Sequence, residues 1–225
     1  MIQIDENPVT FPLMKRSLID LILEGEHQQQ DFKFRVDDAR KIARTLSAFA
    51  NTDGGRLLIG VKDNGRIAGV RSQEELHVIE TAALLYTKPE VTYESQLWRE
   101  QGKNVLEVWI PRSEAGPHLA KDDHDQWRPY VRKDDHNFVA NRVLTRVWRM
   151  GKSRRGAEVQ FTETENQLFS YLRENERITF SKYGRLSGLK PKAVEALLAK
   201  LISWEVLEME LTEKGVFYHL SASER

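Results

Sequence analysis

The chain has 225 residues, 40% of them hydrophobic and 30% charged, enough for two small domains of a soluble globular protein. It contains no cysteine, which excludes a disulfide framework and any thiolate metal site. Its 34 Lys and Arg balance 34 Asp and Glu, so there is no global basic excess, and any pull on a polyanion must come from local segregation of charge.

Residues 1–10 are polar and acidic, without the apolar stretch of a secretory signal. No apolar run reaches membrane-spanning length. A cytoplasmic protein is expected. Phe11 to Glu24 reads as a short amphipathic helix that Gly25 ends. Asp31 to Phe34 reads as a strand. Asp37 to Asn51 places Ala39, Ile42, Ala43, Leu46, Phe49 and Ala50 on one helical stripe, with Asp37 and Asp38 at the end that favours carboxylates. Leu57 to Val61 and Ile67 to Val70 flank Asn64-Gly65 and predict a hairpin. Glu74 to Tyr86 is a helix. Val91 to Trp98 and Asn104 to Pro111 are strands joined around Gly102, Trp127 to Arg132 is another, and Phe138 to Met150 is a closing helix.

Residues 1–150 thus form a mixed, mostly antiparallel α+β domain. Residues 151–160 (GKSRRGAEVQ) read as a linker. Residues 161–225 carry helices at Glu163 to Glu174, Thr179 to Leu186 and Lys192 to Trp204. A hairpin follows, from Val206 to Leu211 and Val216 to Leu220. That order is a winged helix-turn-helix pattern.

Three stretches of the first domain stand out. They are Glu26-His27-Gln28-Gln29-Gln30-Asp31-Phe32-Lys33, then Ala48-Phe49-Ala50-Asn51-Thr52-Asp53-Gly54-Gly55, then Ile59-Gly60-Val61-Lys62-Asp63-Asn64-Gly65 running on to Gly69. Together they resemble the signature of Schlafen AlbA-like domains, as does the later Tyr130-Val131-Arg132. The resemblance runs from about Leu18 to Arg149. Read without it, Asn51 caps a helix and the glycines permit tight turns and close packing.

The resemblance implies a nucleic-acid-binding protein, DNA or RNA, of the transcriptional-regulator kind, with a homodimer as one form. It also implies an alternative, since some Schlafen proteins are ribonucleases with three acidic residues. Glu26, Asp31 and Asp63 stand at those positions. Such carboxylates hold Mg²⁺ or Mn²⁺ to activate water, and Lys33 is placed to contact a phosphate. Asp31 stands where the family usually carries the longer Glu. Relatives are often labelled ATP-binding, but Gly151-Lys152-Ser153 lacks the upstream glycine of a phosphate loop, so ATP is not expected.

The densest basic region is Arg128, Arg132 and Lys133, then Arg142, Arg146 and Arg149 at helical spacing, then Lys152, Arg154 and Arg155. These are the expected phosphate contacts. His118 and His124 read as surface-loop residues. The third helix of the C-terminal domain exposes Lys192, Glu195, Ala196, Ala199, Lys200 and Ser203, a set without the usual base-edge readers. A protein-interaction or dimerisation role for that domain is the third reading.

Overall fold

The computed structural model describes residues 16–70, 74–150 and 161–222. Helix α1 (Leu18–Leu23) opens on a capping box in which Ser17 and Asp20 each accept the other's backbone N–H. Strand β1 (Gln30–Lys33) follows. Helix α2 (Ala39–Asn51) starts at Asp38, whose carboxylate accepts from the N–H groups of Arg40 and Lys41. Strand β2 (Gly55–Ile59) then pairs parallel to β1, with α2 as the crossover. Helix α3 (Glu74–Tyr86) leads into β3 (Thr87–Lys88), β4 (Glu94–Glu100), β5 (Lys103–Ile110), β6 (Leu119–Lys121), β7 (Trp127–Lys133) and β8 (His136–Val139). These strands form two four-stranded sheets, ordered β1-β2-β5-β4 and β3-β6-β7-β8. All their pairings except β1 with β2 are antiparallel, the mixed α+β class expected.

Period-two alternation distributes the first sheet's side chains between two cores. Leu57, Ile59, Val108 and Ile110 face α2, together with Ala120 and Tyr130 of the second sheet and Ile79, Ala82 and Ala83 of α3. Phe32, Leu58, Val61 and Val105 turn the other way and meet Leu18 and Leu21 of α1. Helix α2 is therefore wedged between sheets. It buries Ile42, Ala43 and every residue from Thr45 to Ala50, far more than one apolar stripe.

A helix buried on several sides must satisfy its polar groups internally. The Ser47 hydroxyl donates to His118 O at 2.7 Å. Asn51 Nδ2 donates to the carbonyls of His118 and Tyr130, each at 2.8 Å, while its Oδ1 accepts from His118 N–H at 2.7 Å. Thr52 Oγ1 donates to Ala48 O and accepts from Arg132 N–H. Asn51 is thus a clamp on the second sheet and its leading loop. At Gly55, any Cβ would meet the Phe49 ring at 2.4 Å, which explains the glycine there.

Several segments depart from the sequence expectation. The helix expected from Phe11 begins at Leu18, after Ser17 in extended conformation, and residues 11–15 lie outside the described residues. Strands β3 and β6 are not among the expected elements. Ile67 to Val70 forms no strand. It makes an isolated bridge between Val61 and Ile67 and donates to Gly60 O and Asn104 O, while the ladder partners of β2 are β1 and β5. Residues 136–150 divide into β8, paired with β7, and helix α4 (Arg142–Met150).

The remaining elements are α5 (Glu163–Glu174), β9 (Ile178–Thr179), α6 (Phe180–Ser187), α7 (Pro191–Ser203), β10 (Leu207–Thr212) and β11 (Gly215–Leu220). Their antiparallel sheet has the order β10-β11-β9. Its core joins Leu168, Tyr183, Val194, Leu198, Leu201 and Tyr218. Val143 belongs to this core and Val147 packs on it. The sequence reading carries the first domain through residue 150, whereas the packing seats α4 on the second core. Asn141 is the joint. Its Oδ1 accepts from Leu144 N–H at the start of α4, and its Nδ2 donates to Tyr218 Oη at 3.3 Å.

Asn51→Ala removes the clamp and leaves the buried His118 N–H without its acceptor. The expected loss is about 2–3 kcal/mol. It is read as a lower urea midpoint at an unchanged dependence on denaturant.

Candidate functional site

Strand β1 turns Phe32 into the α1 core and leaves Asp31 and Lys33 on the opposite side. Asp31 is 4% exposed and Arg132 2%. Arg132 Nη2 lies 3.3 Å from Asp31 Oδ1, and Lys33 Nζ lies 2.5 Å from Asp31 Oδ2. The Arg132 guanidinium also donates to the carbonyls of His27 and Gln30 and to Asn137 Oδ1. Its Cζ sits 4.7 Å from the centroid of the Phe49 ring. Burial and these bonds correct the expectation for Arg132. It is a fixed cation at the inner wall of the cleft beside β1, held by Asp31, by the carbonyls of His27 and Gln30 and by Asn137.

Glu26 Oε1 accepts from Phe32 N–H at 2.9 Å. Burial pushes the Glu26 carboxyl above its ordinary 4.5, and the neighbouring Asp31 adds to the rise. Glu26 and Asp31 are therefore brought together. Asp63 is exposed, on the turn closed by Gly65 N–H donating to Lys62 O. Among the described residues no group of three His, Asp or Glu side chains is placed to hold a metal ion. Asp31 already carries two cations. Glu26, Asp31 and Asp63 as they stand do not fit Mg²⁺ or Mn²⁺, and Lys33 serves Asp31.

Beside this pair opens a cleft of about 380 Å³, bounded by β1, the first turns of α2, β7 and β8. Lys33, Arg35, Lys41 and Arg44 line it along with Asp31, Asp37, Asp38 and Asp135. Phe34, between two of these cations in sequence, is 49% exposed. Arg35 Cζ lies 5.6 Å and Lys62 Nζ 5.1 Å from its ring centroid. On α2, Arg44 is paired with Asp123 and Arg40 lies 3.1 Å from Asp125. The sequence reading used α2 only for its apolar stripe. Arg40, Lys41 and Arg44, at complementary helical positions, were its missed signal, as was the Phe34-Arg35 pair.

The expected basic stripe is divided. Arg128 lies 3.5 Å from Asp122, and Lys133 lies 3.7 Å from Asp134. Arg142 and Arg149 are exposed on α4, while Arg146 lies 3.3 Å from Glu195. Lys152, Arg154 and Arg155, with the linker, lie outside the described residues. His118 is buried rather than a surface-loop residue. Its Nδ1 is 2.8 Å from Pro89 O, and its Nε2 2.7 Å from Ser113 Oγ.

The face of α7 expected to be open is largely used. Ala199 is fully buried. Glu195 is held by Arg146 of α4. Lys200 pairs with the buried Glu165 and lies 4.8 Å from the Trp204 ring.

Residues 26–141 match the model of the Schlafen, AlbA_2 family. No curated protein matches the chain. Among solved structures, the DIP2311 protein from Corynebacterium diphtheriae is similar at 22% identity and a TM-score of 0.39. That match covers 52% of this chain and only 26% of the other. The N-terminal domain of a putative ATP-dependent DNA helicase RecG-related protein from Nitrosomonas europaea is similar at 26% identity and a TM-score of 0.36. It covers 50% of this chain and 80% of the other.

Two outcomes follow from the buried charges. Arg132→Gln leaves Asp31 and two backbone carbonyls without their partner, and is expected to cost roughly 3–5 kcal/mol in urea denaturation. Glu26 has a folded pKa above its unfolded value, so its contribution to stability is present at low pH and lost as pH rises through the folded value. Glu26→Gln keeps the acceptor for Phe32 N–H and removes that loss. The variant is expected to resist urea better than wild type at neutral pH. The difference should vanish below the ordinary 4.5.

Proposed function

The chain belongs to the Schlafen, AlbA_2 family, and from that premise we propose that it binds nucleic acid through the cleft between β1 and α2. The observation that carries this reading is the cleft lining of Lys33, Arg35, Lys41 and Arg44, with the exposed ring of Phe34 next to Lys33 and Arg35 in the chain and Arg35 and Lys62 close to that ring. Cations along a groove hold a phosphate backbone. An exposed aromatic gives an unpaired base a face to stack on. The combination favours single-stranded DNA or RNA over duplex. Binding is favoured over metal-dependent cleavage, because Asp31 is committed to Arg132 and Lys33 while Asp63 stands on an exposed turn.

We read the C-terminal elements as a winged helix that serves in docking. The support is α4, whose Val143 and Val147 pack on the core that α7 shares and whose Arg146 holds Glu195. A helix with that face covered is poorly placed to enter a major groove. In this reading the protein is a regulator whose first domain holds the nucleic acid.

Fluorescence anisotropy with labelled single-stranded DNA, single-stranded RNA and a duplex of the same sequence tests the proposal. Phe34→Ala is expected to weaken single-strand binding by about 1–3 kcal/mol, on the order of tenfold or more, and to leave duplex binding little changed. Arg35→Ala should flatten the plot of log K against log salt by about 0.7 for one lost phosphate contact. Equal losses of single-strand and duplex binding in Phe34→Ala would rule out the stacking role.

A further inference from the structure

The turn between β6 and β7 carries three carboxylates, and each faces a cation. Asp123 pairs with Arg44, a residue of the cleft wall. Asp125 lies 3.1 Å from Arg40 and 3.6 Å from Lys121. Asp122 lies 3.5 Å from Arg128.

These acids have different duties. Asp122 Oδ1 accepts from His124 N–H at 2.8 Å and from Gln126 N–H at 2.9 Å, so it builds the turn. The ladder from Leu119↔Pro129 to Lys121↔Trp127 holds the hairpin below it. Asp123 and Asp125 are needed for neither. Their side chains are 70% and 60% exposed, reaching from the hairpin to the basic face of α2. Ion pairs so open to water are weak and easily exchanged. The Asp123 carboxyl is held below its ordinary value, first by its hydrogen bond from Arg44, so it stays charged at neutral pH. Arg40 has a second support, the Tyr86 ring at 5.6 Å, and keeps its place without Asp125.

We propose that Asp123 and Asp125 act as a built-in competitor for phosphate, occupying Arg44 and Arg40 until a polyanion displaces them. The inference rests on the nucleic-acid reading of the cleft. It adds a regulation of that site. The turn sets a threshold, so that short or sparsely charged anions fail to open the α2 face while a continuous phosphate chain succeeds. The carboxylates behave as tethered counterions. In their presence part of the gain from releasing free counterions is absent.

The test compares the wild-type chain with D123N/D125N, leaving Asp122 intact, in binding a labelled single-stranded oligonucleotide across a salt series. The variant is expected to bind several-fold more tightly at low salt. Its plot of log K against log salt should be steeper by about 1.4, from two newly available phosphate contacts at about 0.7 each. Adding R40Q/R44Q to that variant should return the slope to the wild-type value. E94Q/E100Q on strand β4 removes the same charge elsewhere and should leave the slope unchanged. An unchanged slope in D123N/D125N, or an equal gain in E94Q/E100Q, overturns the inference while wild-type binding keeps the nucleic-acid reading. Failure of every protein to bind at low salt overturns both.

Discussion

The contact between Arg132 and Asp31 is the constraint on which the first domain depends. Each residue comes from a different sheet, and both are almost wholly buried. A buried charge without a partner is not tolerated, so the two sheets are held in one relative placement. The remaining donors of Arg132 extend that placement to the 27–30 turn and to β8. Phe49 lies under the guanidinium and packs against Gly55, so the motif after α2 is shaped by the same group. Asn51 and Thr52 then bind the backbone of β7 on either side of Val131. Asn51 and Thr52 of the Ala48–Gly55 motif therefore serve the interior.

This arrangement decides what chemistry remains for the surface. Asp31 is spent on holding Arg132, and Lys33 on holding Asp31. The cations that still face water near the cleft are Arg35, Lys41, which lies 3.9 Å from Asp38, and Arg40, which lies 3.1 Å from Asp125. The C-terminal elements are tied to the same frame through Asn141, which begins α4 and touches Tyr218. Burial pushes the Tyr218 hydroxyl up to about 12, so it stays neutral in that contact. Only Ala140 and Asn141 separate β8 from α4.

Much of the fold was legible in the sequence, and the failures have physical causes. Helices α3 and α5 begin and end where expected. Strand β8 was read as helix because Phe138, Val139 and Ala140 run without a break into the apolar positions of α4. The turn at Asn64-Gly65 is real, but a turn signal does not name the strand's partners, and those of β2 are remote in sequence. The candidate site was harder. Arginines were read by their density, which says nothing about which face of a strand they occupy. Arg132 shares β7 with the exposed Arg128 and Lys133, yet packs inward. The cleft was missed because its walls come from segments about a hundred residues apart, β1 and α2 against β7 and β8.

The zero net charge acquires a different meaning once the pairs are placed. Taken as a sum, 34 bases against 34 acids argues against affinity for a polyanion. Taken by position, the balance is built from pairs of two kinds. Arg132 with Asp31 and Lys200 with Glu165 each include a carboxylate shielded from solvent, and no ligand can exchange with it. Arg40 with Asp125 and Arg44 with Asp123 put the carboxylate in water. A phosphate that replaces an exposed carboxylate gains the cation without adding net charge to the interior. In the proposed reading, affinity for a polyanion depends on how many exposed pairs lie along one path rather than on any excess of basic residues. The basic face of α2, which continues into the cleft at Arg44, supplies such a path.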